Sequence, residues 1–165
     1  MAGIAAHLDG RRVGGAMRAL LIAVGVSPFI PHLVEGIPVL GSIGAAIDSW
    51  FAFQCQRDPA RSLSFLGRVL PVCARCLGIY LGLGLGALVL RPKLGVWPLR
   101  IWVATAALVM FLDVATETLG MRPAWAPLRL FTGLLLAYPV GSALVWSARE
   151  LGQPASEPEP QRPKT

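Results

Sequence analysis

The chain has 165 residues, 55% of them hydrophobic and only 15% charged, with a formal net charge of +6. Soluble domains carry about 25% charged residues, so this composition excludes an ordinary water-soluble domain and indicates an integral membrane protein of one domain. The basic residues fall between apolar segments without an aromatic–basic surface pattern, which speaks for positive-inside sorting and anionic lipid headgroups and against nucleic acid.

Residues 1–18 hold Arg11, Arg12 and Arg18 and read as a cytoplasmic N-terminal segment. The first apolar run, 19–34, contains Pro28 and Pro31, which membrane helices tolerate. No clean small-x-small cleavage site follows it, so it reads as an uncleaved span. The piece 37–53 carries Asp48 and reads as a short helix at the interface. A Cys/Arg-rich loop, 54–76, follows. The second span, 72–90, covers roughly 28 Å at ~1.5 Å per residue, enough for a bilayer core. The third span is expected at 99–118 and the fourth at 128–146, closing a transmembrane domain of residues 19–148. The tail, 149–165, is rich in proline and charge from Gly152 onward and is expected to be disordered. The expected fold class is thus an all-α polytopic transmembrane bundle of about four spans plus one short interfacial helix. With the N-terminus inside, nine basic residues fall on inner segments and six on outer ones. That favours a multi-pass protein of the cell (inner) membrane with a cytoplasmic N-terminus. Membrane lipids are the expected partners, with a homo-oligomer or a membrane partner as an option. In either orientation the cysteine loop and the segment from Asp113 to Arg129 share one side.

Gly78, Gly82 and Gly86 recur every four residues in the second span, and Gly133, Ala137 and Gly141 do so in the fourth. Small residues at that spacing let helix backbones approach closely in a bilayer. The second and fourth spans are expected to touch, or one of them to dimerise.

The chain's three cysteines all lie in one stretch, Cys55, Cys73 and Cys76, among Arg57, Arg61, Arg68 and Arg75. Pro71 suits the first turn of a helix, which would put Cys73 and Cys76 on one face of that turn. Three readings compete. The thiolates could bind zinc or another thiophilic metal, with His32, Asp113 or Glu117 as a fourth ligand. Cys73 and Cys76 could instead form a redox pair, helped by the helix N-terminus and Arg75. A plain disulfide or zinc staple is the third. A c-type haem is disfavoured because Leu77 stands where the attachment motif needs histidine.

Asp113 and Glu117 are four apart and share a helix face. Asp113 sits about one and a half turns inside the third span, where an ionisable group faces the bundle interior or pairs with a cation. Arg75 and Arg129 are the expected partners in a register-fixing ion pair. Arg57, Arg61, Arg68 and Arg122 could form an anion site or a rim that touches lipid phosphates.

The order C-Q-R-D-P-A-R-S, then G, then P-V-C-A-R-C-L-G-I-Y-L-G resembles the prokaryotic membrane-protein family called domain of unknown function twenty eighty-five. The matching positions are Cys55, Pro59, Arg61, Ser62, Gly67, Pro71, Cys73, Arg75, Cys76, Gly78, Tyr80 and Gly82. Asp113, Gly120, Arg122, Arg129, Thr132 and Gly133 fill the later pattern. The resemblance covers roughly residues 50–141 and implies a fold and a residue set, not a reaction. Gln56 and Arg57 stand where the family pattern has histidine and glutamine. If the family binds metal through that histidine, this chain needs His32, a carboxylate, a water or a partner in its place, or else its site has degenerated into a purely structural one.

The leading expectation is a thiolate metal-binding protein. The alternatives are a membrane thiol–disulfide oxidoreductase using Cys73 and Cys76, and a small carrier or anionic-lipid binder built on Arg61, Arg129 and Asp113. No nucleotide loop, Ser-His-Asp set or dinucleotide fingerprint is present, which disfavours ATP-driven or NAD-dependent chemistry.

Overall fold

The computed structural model describes residues 2–34, 37–55, 58–90 and 92–152. Gln56, Arg57, Arg91 and the tail from residue 153 lie outside these. The architecture is an all-α polytopic bundle. It comprises α1 (Ala2–Val26), a 3-10 turn (Ser27–Phe29), α2 (Ile30–Val34), α3 (Pro38–Gln54), α4 (Ala74–Val89), α5 (Val96–Thr118) and α6 (Ala126–Leu151). Three helical segments are long and apolar enough to cross a membrane, Gly10–Val34, Val96–Thr118 and Ala126–Leu151, and α4 is a shorter apolar helix. α1, α5 and α6 extend past the expected spans, whereas α4, at 16 residues, falls inside the expected 72–90 because its first residues belong to a strand. The first helix already begins at Ala2, within the segment read as preceding the span.

α4 and α6 form the centre of the bundle, with α1 against both and α5 against α6. Their small-residue faces meet. A Cβ added at Gly82 would lie 2.8 Å from the Leu134 carbonyl oxygen, and one at Gly78 or Gly86 would collide with the carbonyls of Leu130 or Tyr138. From the other side, Gly133 and Gly141 lie against the carbonyls of Arg75 and Leu83. Only residues without a Cβ permit this backbone contact. A second close crossing joins α1 to α4, where a Cβ on Gly25 would lie 2.9 Å from the Gly84 Cα. α5 is held differently. Pro139 inside α6 has no N–H to offer the Leu135 carbonyl, and the Trp102 indole of α5 donates to that oxygen at 3.0 Å. Elsewhere α5 exposes Trp97, Ile101, Leu108 and Phe111, an apolar surface suited to lipid.

The loop expected at 54–76 folds into an antiparallel ribbon, β1 (Ser62–Phe65) and β2 (Arg68–Cys73). Leu66 and Gly67 form its turn with positive φ at both positions, +51° and +79°. The pairing Ser64↔Val69 and Ser62↔Cys73 leaves a bulge in β2 around Pro71, which has no N–H to give a ladder. Pro71 therefore belongs to a strand and not to a helical first turn, and α4 starts at Ala74. A lone two-stranded ribbon is marginal in water. This one is fastened by Leu70 and Val72, buried with Phe51 and Leu77, and by Phe29, whose ring meets Phe65 edge-on at 5.2 Å.

Candidate thiol–arginine site

The ribbon's second strand runs straight into α4, and Cys73 is the junction. Its backbone is extended (φ −67°, ψ 159°) and it is the N-cap residue of the helix. Cys76 sits one turn further on. The expectation that both thiols lie on a first helical turn is thus corrected: a strand delivers one and a helix the other. Cys55, just past the end of α3, accepts a hydrogen bond on its Sγ from the Cys73 backbone N–H at 3.2 Å. The three sulfur atoms lie within 4.8 Å of one another, half-buried, as free thiols. Tetrahedral zinc with ~2.3 Å bonds holds its sulfurs about 3.8 Å apart, so a small closing movement would bring this set to ligating distance.

The helix N-terminus and the hydrogen bonds around it favour negative sulfur. The Cys73 thiol is pulled down from an ordinary 9.0 to about 5. The hydrogen bond with the Cys76 side chain is the largest cause, joined by bonds from the Cys76 and Arg75 backbone and from Cys55, against an opposing effect of burial.

Next to the thiols lies a network of ion pairs. Asp113, 6% exposed on α5, accepts from the Arg75 guanidinium at 2.6 Å and is paired with Arg122. Arg122 also donates to the Asp113 backbone carbonyl at 3.0 Å and to the Thr116 hydroxyl oxygen at 3.1 Å. Glu117 holds Arg129, 2% exposed, through both carboxylate oxygens, with the Nε bond at 2.7 Å. Arg61 bridges Glu117 at 3.8 Å and Asp58 at 3.2 Å, and Arg75 reaches Glu117 at 3.9 Å. Among the described residues the guanidinium groups of Arg61, Arg75, Arg122 and Arg129 thus interlock with the carboxylates of Asp58, Asp113 and Glu117.

Arg129 is the partner of Glu117, not of Asp113, and Arg122 takes the place expected for it. Arg61 and Arg122, read as possible anion ligands, are committed to carboxylates. Arg68 extends from the exposed start of β2. The candidate fourth ligands do not join the thiols: both carboxylates face arginines, and His32 places Nε2 3.2 Å from the Val69 carbonyl. Among the described residues the group able to hold a metal consists of the three cysteines alone. Sequence reasoning had not singled out Gln54 or Thr116. The Tyr80 hydroxyl donates to the Gln54 side-chain oxygen, and no short-range pattern signals such a contact.

Fold and site together define a polytopic membrane protein with a clustered thiol centre braced by a buried arginine–carboxylate network. The chain belongs to the family described as Predicted membrane protein (DUF2085), whose pattern matches residues 55–143. That stretch runs from the first thiol through α4 and α5 into α6. An uncharacterized protein of Methanocaldococcus jannaschii is 27% identical over 123 residues, which cover 72% of this chain and 79% of that protein. An uncharacterized protein of Methanothermobacter thermautotrophicus is 37% identical over 90 residues, covering 51% of this chain and 78% of that protein. No solved structure matches the chain.

Proposed function

We propose that this membrane protein binds a thiophilic metal ion, zinc or a similar soft cation, through Cys55, Cys73 and Cys76 at one membrane face. The observation that carries the reading is the convergence of the chain's three thiols from three separate elements to within 4.8 Å. A structural staple needs only two of them. The lowered Cys73 thiol supplies the charge state of one thiolate ligand, and the N–H bond to Cys55 Sγ holds a second in place. On this reading the arginine–carboxylate network is a scaffold that fixes the helices bearing the ligands. The protein sits in the cell membrane with its N-terminus in the cytoplasm, and the thiol face is then outward.

Metal content and free thiols measured together on detergent-purified protein test this. The expected result is about one ion per chain, retained through dialysis and lost in Cys76→Ser. A metal-free protein in both reduced and oxidised preparations overturns it. A specific observation supports a second reading in that event: a low-pKa Cys73 beside Cys76 is the arrangement of a thiol–disulfide exchange pair. A reducible Cys73–Cys76 bond that traps a mixed disulfide in Cys76→Ser would establish it.

A further inference from the structure

Beside the thiols lies a cavity of about 190 Å³, lined by Gln54, Cys55, Val72, Cys76, Ile79 and Tyr80. Two of the three candidate ligands therefore border open space. We infer that this cavity admits a small exogenous thiol, whose sulfur completes the coordination of the metal held by Cys55, Cys73 and Cys76. The inference rests on the metal reading above. Zinc takes four donors, and a site with three protein ligands keeps a position for an outside one. Among the described residues no histidine or carboxylate lies with the three thiols: Asp113 and Glu117 hold arginines, and the His32 Nε2 meets the Val69 carbonyl.

The cavity's chemistry selects the class of ligand. A water in liquid takes about 30 Å³, so the volume suits a molecule of roughly six heavy atoms. Val72, Ile79 and the Tyr80 ring supply apolar wall, and the polar tips of Tyr80 and Gln54 are bonded to each other. A bound water needs two to four polar partners, and few are left. A soft sulfur donor on a short carbon chain matches both the metal and the wall. On binding, one metal–sulfur bond forms from the sulfur's electron pair and the thiol proton passes to solvent. No electron is transferred.

The test uses full-length protein loaded with Co(II), read by its sulfur-to-cobalt charge-transfer absorption. Addition of 2-mercaptoethanol is expected to raise that absorption saturably by about one third, as three thiolates become four, while glutathione, whose bulk exceeds the cavity, responds more weakly. Ile79→Phe, which fills the cavity, is expected to keep the cobalt band and weaken the 2-mercaptoethanol response about tenfold or more. Indifference to 2-mercaptoethanol, loss of the band on adding it, or equal responses to both thiols overturns the inference while the metal reading stands. So does an unaltered response in Ile79→Phe. If that variant does not fold, the two thiols compared on wild-type protein decide. A protein with no sulfur-to-cobalt band at all fails the metal reading itself, and the inference with it.

Discussion

Cys73 owes its chemistry to a change of backbone regime. It is extended yet stands directly before α4, so its thiol faces the Cys76 side chain one turn on, the chief influence on it. Its folded pKa of about 5 lies below the ordinary 9.0. Folding therefore favours the thiolate, so this contribution to stability is complete above about pH 9 and is lost as pH falls to about 5. In metal-free protein, alkylation of Cys73 by iodoacetamide should be nearly independent of pH between about pH 6 and pH 8, because the thiolate is already formed. Replacing the Cys76 donor by alanine should restore the ordinary rise, close to tenfold per pH unit. Mass spectrometry of the alkylated peptide reads both. The cysteines and their arginines were legible from residue type and spacing alone. The role of Cys73 as a strand end was not, because proline before a helix and proline in a bulge look the same in sequence.

At the scale of elements, the pairing of α4 with α6 follows from glycine. Three positions on α4 lie against main-chain carbonyls of α6, and two on α6 lie against those of α4. Gly82→Val puts a branched side chain where a Cβ alone would lie 2.8 Å from Leu134. We expect a loss of about 1–3 kcal/mol of stability, seen as a lower melting temperature in detergent. Gly15→Ala, inside α1 with open space around it, should hold or slightly raise it, since alanine favours the helix. The four-residue glycine spacing made this contact readable in advance. The ribbon of β1 and β2 was not readable. Its turn is built on Leu66 at φ +51° and Gly67, where leucine gives no turn signal, and its strands are too short for alternation to stand out. Tertiary packing on Phe51 and Leu77 decides that conformation.

For the molecule as a whole, the ion-pair network ties α4, α5, α6 and the segment around Arg61 into one unit. Asp113 is its most buried carboxylate, and its removal takes the nearest counter-charge from both Arg75 and Arg122. Asp113→Ala should cost about 3–5 kcal/mol, the usual penalty for orphaning a buried ion pair. Urea or thermal unfolding in detergent measures this. A metal site assembled on the same scaffold should weaken in parallel, although Asp113 touches no thiol.

The sequence by itself determined that the chain is a helical membrane protein and roughly where its apolar segments lie, because hydropathy and small-residue spacing act along one segment. It also determined that the thiol loop and the acidic end of α5 share a side, because the number of crossings between them is enough for that. Only the tertiary structure decided that Arg122, and not Arg129, joins Arg75 on Asp113, and that Cys55 comes to rest against Cys73, 18 residues along the chain. Those outcomes depend on how side chains from distant segments fill one shared space, and no periodicity within a segment carries that information.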